Sequence, residues 1–195
     1  MSHDLYTSDG QRKYLTSEER DRFIAAANSH ERGEVRTLCL VLAYTGCRIS
    51  EALALTAGRV DLSAKAITFR TLKQRGKIAY RAVPVPDSTL DALELVHRIR
   101  KAQRAKTDSK NTRLWIWGRS QASVHIACVM GSAGISGPHA SAKGLRHGFG
   151  VKAAADTRNP RLVQKWLGHR YLETTTIYMD AVGEEERELA ARMWT

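Results

Sequence analysis

Apolar positions along this chain repeat at helical spacing over most of its length and alternate as in a strand over one short stretch. Thr16 followed by Glu19 forms a capping box, and Phe23, Ile24 and Ala27 supply an apolar face, so a helix is predicted to open there. A second helix runs from about Glu34 and stops near Gly46, a residue that tolerates the left-handed conformation of helix ends. A third spans Ile49 to Leu55, with Arg48 at its start. Between Lys65 and Val85 the period changes, and two strand-like runs flank Lys73-Gln-Arg-Gly-Lys77. This predicts a hairpin with a basic tip, ended by Pro84 and Pro86. Ser88 with Asp91 opens a further helix whose Leu90, Leu93, Val96 and Ile99 share one face. Residues 101–113 are polar and basic without periodicity and read as a loop or frayed helix end, whereas Leu114-Trp115-Ile116-Trp117 reads as a short strand. A helix from Ser120 to about Ala133 closes at Gly134, and another runs through Lys143 to Ala155 after Gly137-Pro138. Asn159-Pro160 caps and opens a helix that Gly168 ends. The segment around Tyr178 and the tail from Glu184 are both read as helical, parted by Gly183. The fold class is therefore mostly α, an α+β arrangement of helices with a small antiparallel β-sheet or hairpin.

Charge adds direction to this picture. The 195 residues suit one domain and carry a net +11, with an isoelectric point near 9.9. From Asp180 onward five acids meet two bases, so the body before that tail carries +14. A basic body with an acidic tail points to a polyanion such as DNA or RNA, although charge alone also fits a merely solubilising surface. Cys39, Cys47 and Cys128 are odd in number and wide in spacing, which suits neither a disulfide framework nor a zinc site. Cys39 lies in an apolar run and is read as core. The longest apolar run, Leu38 to Tyr44, is too short to span a membrane, and neither it nor the N-terminus reads as a signal peptide. The expectation is a soluble, cytoplasmic protein with no membrane partner.

Candidate chemistry concentrates in the last third. Lys143-Gly-Leu-Arg146-His147 is followed by Trp166-Leu-Gly-His169 and then by Thr174-Thr-Thr-Ile-Tyr178, nine residues beyond the histidine. Far upstream stands Thr45-Gly-Cys-Arg48-Ile-Ser-Glu51-Ala-Leu. Each piece alone has a bland explanation. Arg48 reads as a helix-start arginine in a surface ion pair, Arg146 as a helix-surface charge, and Tyr178 as a core or rim aromatic. Together, in this order, they resemble the two boxes of the tyrosine site-specific recombinases of the phage integrase family. The resemblance covers Leu15 to Met179. Because Leu15-Thr-Ser-Glu-Glu already looks like the start of the catalytic domain, the chain is similar to the short single-domain fimbrial-type invertases, with a truncated two-domain protein as the second explanation. On this division residues 1–14 are an N-terminal extension, 15–179 the catalytic domain and 180–195 a tail helix that either exchanges between protomers or folds back on its own.

The resemblance implies the tyrosine-recombinase catalytic fold and a role for each matched residue. Tyr178, rather than Tyr171, is the nucleophile that attacks DNA and leaves a 3′-phosphotyrosyl intermediate. Arg48 and Arg146 hold the non-bridging oxygens of the crowded phosphorane by paired, charge-assisted hydrogen bonds, for which a lysine lacks the planar fork. Glu51, one turn after Arg48, orients its guanidinium. His169 donates to the same phosphate, and His147 is a supporting group. The family uses a hairpin lysine to protonate the leaving 5′-oxygen; Lys73 matches best, with Lys77 the alternate. Lys143 departs from the family, which usually has histidine three residues before the second arginine. A lysine there keeps a phosphate contact, and its role stays open between a phosphate-holding cation and the base that deprotonates Tyr178. At an ordinary pKa of about 10.4 it is a poor base, so the second role needs its cationic neighbours to lower it. His139 has the wrong spacing to replace that histidine and reads as a loop residue.

Neither a metal nor ATP is implied, so the expected cofactors are none: the histidines lack ligand spacing and no Gly-x-x-x-x-Gly-Lys phosphate loop occurs. The expected partners are double-stranded DNA and further copies of the chain, a dimer on one site and a tetramer in synapsis, with accessory DNA-bending proteins. Three functions stay open at this stage: a recombinase acting in integration, inversion or excision, a type IB topoisomerase-like nick-and-reseal enzyme, and a non-catalytic DNA-binding regulator that keeps the fold.

Overall fold

Helix α2 (Gly33–Thr45) is enclosed by the rest of the molecule, and its composition explains why. Val35, Leu38, Cys39, Leu40, Val41, Leu42 and Ala43 are all buried, so the helix is apolar around its circumference rather than along one stripe. Around it pack α1 (Ser17–Asn28), α4 (Asp87–His97), α6 (Arg119–Ser132) and α7 (Ala142–Thr157). The structure is a computed structural model that describes residues 5–72, 78–106 and 108–179 together with Ala191 and Met193. Among the described residues the remaining helices are α3 (Ile49–Leu53), α5 (Ile99–Arg104), α8 (Pro160–Leu167) and α9 (Glu173–Thr176), and none is long and apolar enough to cross a membrane.

Three strands form one antiparallel sheet in the order β1 (Val60–Asp61), β2 (Ala66–Leu72), β3 (Ile78–Pro84). The register sets Ile67 opposite Val83 and Phe69 opposite Arg81. Ile67, Phe69 and Val83 turn inward to the core, and so does Arg81, the one charged member of this inner face among the described residues. The tip of the hairpin, with Lys73 and Lys77, lies outside the described residues, as does residue 180 onward apart from Ala191 and Met193.

Helix ends follow the predicted signals. Thr16 and Glu19 form the reciprocal capping box of α1. Ser141 caps α7, and Asn159 with Pro160 opens α8. Gly46 ends α2 at φ +58°, and a Cβ there would lie 2.5 Å from the Phe149 ring, so both backbone and space require glycine.

Elsewhere the structure departs from the pattern. The Ser88–Asp91 box does not form: Pro86 is the cap residue of α4, and Asp87 pairs instead with Lys65 at 2.7 Å. Residues 101–113 hold the second half of α5 and a 3-10 turn at Asp108–Asn111. The Gln103 amide docks this segment by donating to the carbonyls of Ala57 and Val60, both at 2.8 Å, a polar anchor that apolar periodicity does not register. Leu114 to Trp117 alternates as a strand does, with Trp115 and Trp117 inward and Ile116 83% exposed. Only the Thr56–Arg113 bridge and one backbone bond from Leu114 to Leu55 pair it, so no strand forms. α3 stops at Leu53 and α9 at Thr176, leaving Tyr178 in the turn that follows.

Candidate active site

Arg48 occupies the cap position of α3, just beyond the left-handed turn at Gly46. Its backbone N–H donates to Glu51 Oε2 at 2.9 Å and its Nη1 to Glu51 Oε1 at 3.2 Å, while about half of its side chain faces solvent. Glu51 itself is enclosed. Arg81 Nη1 and Nη2 grip its two oxygens at 3.0 and 2.7 Å, and the Thr71 hydroxyl adds a bond at 3.1 Å. Burial alone would raise this carboxyl, but the hydrogen bond and charge of Arg81, with help from Arg48, outweigh it and hold the group at about 2.

Arg81 is the residue that the sequence did not announce. It is buried, donates from Nε to the Trp166 carbonyl at 2.8 Å, bonds Thr71, and lies over the Phe69 ring at 5.1 Å. One side chain therefore joins the sheet, the start of α3 and the end of α8. Its signal was positional, an arginine in phase with Val83 on the inward face of a strand.

Glu51 gives a measurable pH dependence. Its folded pKa is depressed below the ordinary carboxylate value, so the stability it contributes is full above about pH 4.3 and is lost as pH falls toward its folded value near 2. Glu51→Gln is expected to lower the urea midpoint at pH 7 and to flatten its decline between about pH 4.5 and 2. Glu19, held at about 2 chiefly by hydrogen bonding from Arg12, titrates over the same range in both proteins, so the difference isolates Glu51. Parallel declines in the two proteins would contradict this account.

Arg146, on α7, is buried and donates from Nη1 to the Gly46 carbonyl at 2.7 Å and from Nη2 to the Leu167 carbonyl at 2.8 Å. It thus ties the turn before Arg48 to the turn before His169. Two of its five N–H groups are used in this way, which leaves three for an anion. Burial first, and then the charge of Arg48, lower it to about 10, so it remains a cation at neutral pH.

Tyr178 closes the site. Its ring belongs to a second apolar cluster with Leu5, Ala153, Ala154, Val163 and Leu167, and is 3% exposed. The ring lies against Gly150 of α7, where a Cβ would come within 2.7 Å of it, so the glycine makes room for the tyrosine. Its hydroxyl is 2.9 Å from His147 Nδ1. The His169 ring stacks on it at 5.9 Å, and His169 Nδ1 is 3.0 Å from the Thr175 hydroxyl. Burial raises the phenol above its usual value, while the charges of Arg146 and Arg48 pull it back.

The structure thus brings together Arg48, Glu51, Arg146, His147, His169 and Tyr178. Lys143 stands one turn before His147 on α7, exposed, with no hydrogen bond or ion pair to another described residue. Tyr171 is 55% exposed, with the Arg170 guanidinium over its ring. His139 is in a loop as expected, yet buried, with Nε2 3.3 Å from Glu19 Oε1. The described residues hold no group of three His, Cys, Asp or Glu side chains arranged for a metal ion.

Residues 13–185 match the model of the phage integrase family. The chain belongs to the phage integrase family. Tyrosine recombinase XerD of Vibrio vulnificus is 27% identical over 190 residues, covering 91% of this chain and 59% of that protein. The crystal structure of XerA recombinase superposes with a TM-score of 0.71 at 27% identity, over 92% of this chain and 64% of that one. The catalytic domain of bacteriophage HP1 integrase shares the fold at 22% identity and a TM-score of 0.63, with 92% and 93% of the two chains covered. The chain spans about three-fifths of the length of the curated relatives it matches.

Proposed function

We propose that this chain is the catalytic domain of a site-specific DNA recombinase, which cuts and rejoins double-stranded DNA through a 3′-phosphotyrosyl bond at Tyr178. The observation that carries the reading is the setting of that hydroxyl: 2.9 Å from His147, its ring stacked on His169, within the field of Arg146 and Arg48. An enclosed phenol in the field of two guanidinium groups suits in-line attack on a phosphodiester, and the guanidinium forks suit the charge that develops on the phosphorane.

In this reading Arg48 and Arg146 hold the non-bridging oxygens, Glu51 orients Arg48, and His169 donates to the same phosphate. Lys143 supplies a further cation to it. The leaving 5′-oxygen takes a proton from Lys73, with Lys77 the alternate, both outside the described residues. The phosphotyrosyl linkage keeps the energy of the broken bond, so rejoining needs neither ATP nor a metal. Strand exchange between two sites calls for a dimer on each and a tetramer in synapsis, with residues 180–195 bridging protomers and with DNA-bending proteins assisting. Residues 15–179 form the catalytic domain, and 1–14 an extension before it. The free cysteines fit a reducing cytoplasm. Likeness to the fimbrial-type invertases is carried by the sequence alone, since the relatives named above are Xer recombinases and a phage integrase.

The test is covalent capture from a library of randomised, singly nicked duplexes, followed by sequencing of the DNA that stays attached to protein in detergent. Enrichment of inverted half-sites, and recombination between two copies of the enriched site, is the expected result. Capture without sequence preference would favour a nick-and-reseal enzyme, and no capture a DNA-binding regulator.

A further inference from the structure

The contact between His147 and Tyr178 asks for more than a supporting part. We infer that His147 is the general base of strand cleavage, taking the Tyr178 proton on Nδ1; this rests on the reading of Tyr178 as nucleophile. His147 is 6% exposed on α7, and its Nδ1 lies 2.9 Å from Tyr178 Oη. That is within the reach a general base requires. With the imidazole proton on Nε2, the Nδ1 lone pair faces the hydroxyl. Gly150, one turn below on the same helix, fixes the distance by letting the tyrosine ring lie against the helix backbone.

The surroundings favour proton transfer in this direction. Burial keeps the phenol protonated in the free protein, so attack on phosphorus needs an acceptor at the hydroxyl. Arg146 on α7 and Arg48 after α2 both stabilise the phenolate once the proton leaves. Lys143, one turn earlier on α7, is exposed and makes no hydrogen bond to the tyrosine. His169, beyond α8, stacks on the phenol face while its Nδ1 engages Thr175. On α1, Glu19 is held by Arg12 and His139, and Arg20 donates to the Ala43 carbonyl, with Tyr44 of α2 beneath it. Cys47, between α2 and α3, is buried and its thiol is pushed up to about 12. None of these offers a base at the oxygen.

Oη forms its bond to phosphorus as its proton passes to Nδ1, the bond from phosphorus to the 5′-oxygen breaks, and that oxygen takes a proton from the hairpin lysine. In rejoining, the 5′-hydroxyl attacks phosphorus as its proton passes back to the hairpin lysine, the bond from phosphorus to Oη breaks, and the imidazolium returns its proton to Oη.

The experiment uses DNA recovered by covalent capture, resynthesised with sulfur in place of the bridging 5′-oxygen so that the leaving group needs no proton. Single-turnover cleavage is followed from pH 5.5 to 9. Wild type is expected to rise with pH and to level off once the imidazole is neutral. In His147→Asn the amide keeps a hydrogen bond but cannot take a proton. Its rate is expected to fall about a hundredfold or more at pH 7 and to climb about tenfold per pH unit without levelling. Lys143→Ala is expected to keep the wild-type profile shape at a lower rate. A His147→Asn profile of wild-type shape, slowed or not, would overturn the proposal. Should that variant fail to fold, His147→Ala with added imidazole decides: recovery that scales with imidazole supports it, and no recovery overturns it. Wild type that captures no DNA, or Tyr178→Phe that does, would instead sink the nucleophile assignment, and the base with it.

Discussion

Tyr178→Phe is expected to eliminate the covalent DNA–protein adduct and to leave DNA binding within about twofold of wild type, because substitution removes one atom and that atom is the proposed nucleophile. Phenylalanine keeps the packing of the ring against Gly150 and within the cluster of Val163 and Leu167. The lost contact is a single hydrogen bond to the buried His147, a cost of about 1–3 kcal/mol against the roughly 5–15 kcal/mol of an ordinary domain, so the variant stays folded. Binding draws on the basic body of the chain, whose +14 the substitution does not touch. The checks are a detergent-resistant adduct assay and a filter-binding titration at matched salt. Adduct formation in the variant would move the nucleophile elsewhere, with Tyr171 the next to test.

Arg146→Lys is the second large effect, and it separates charge from geometry. A lysine keeps the cation and loses the fork that reaches both the Gly46 and Leu167 carbonyls. Cleavage is expected to drop about a hundredfold or more, as when one preorganised donor leaves a charge-stabilising site. Each of the two carbonyls left without its donor costs about 1–3 kcal/mol, so the thermal midpoint falls as well. Single-turnover cleavage at a temperature where both proteins are fully folded separates the two effects. Cleavage within about tenfold of wild type would show that the fork is dispensable at the phosphate.

The order of helices and the hairpin could be read from the chain because their ends carry local chemistry. The Thr16–Glu19 box, Gly46, Asn159-Pro160 and Gly168 act within one helical turn, and each does in the structure what its residue type requires. What escaped was chemistry made at a distance. Gln103 anchors α5 through carbonyls more than forty residues away in sequence, and no apolar period reports that. Arg81 bonds Glu51 and Trp166 across gaps of 30 and 85 residues, and in the sequence it passes for another charge on a basic hairpin. His147 was visible as the neighbour of Arg146, but its contact depends on how the turn after α9 folds back onto α7, which motif spacing does not encode. Arg48 lies far upstream of Arg146, His169 and Tyr178, and the four were legible only as a combined pattern; Arg146, by holding the turns at Gly46 and Gly168, ties the stretches that carry Arg48 and His169 to α7.

The most direct test of the central claim is the chemical identity of the protein–DNA bond. Adduct formed by the wild-type chain on captured, nicked DNA is digested with protease and nuclease, and the nucleotide-bearing peptide is sequenced by mass spectrometry. One modified residue is expected, Tyr178, joined to a 3′-phosphate, with the free 5′-hydroxyl on the released fragment of the same cleaved strand. A nucleotide on any other side chain, or a bond to a 5′-phosphate, would contradict it.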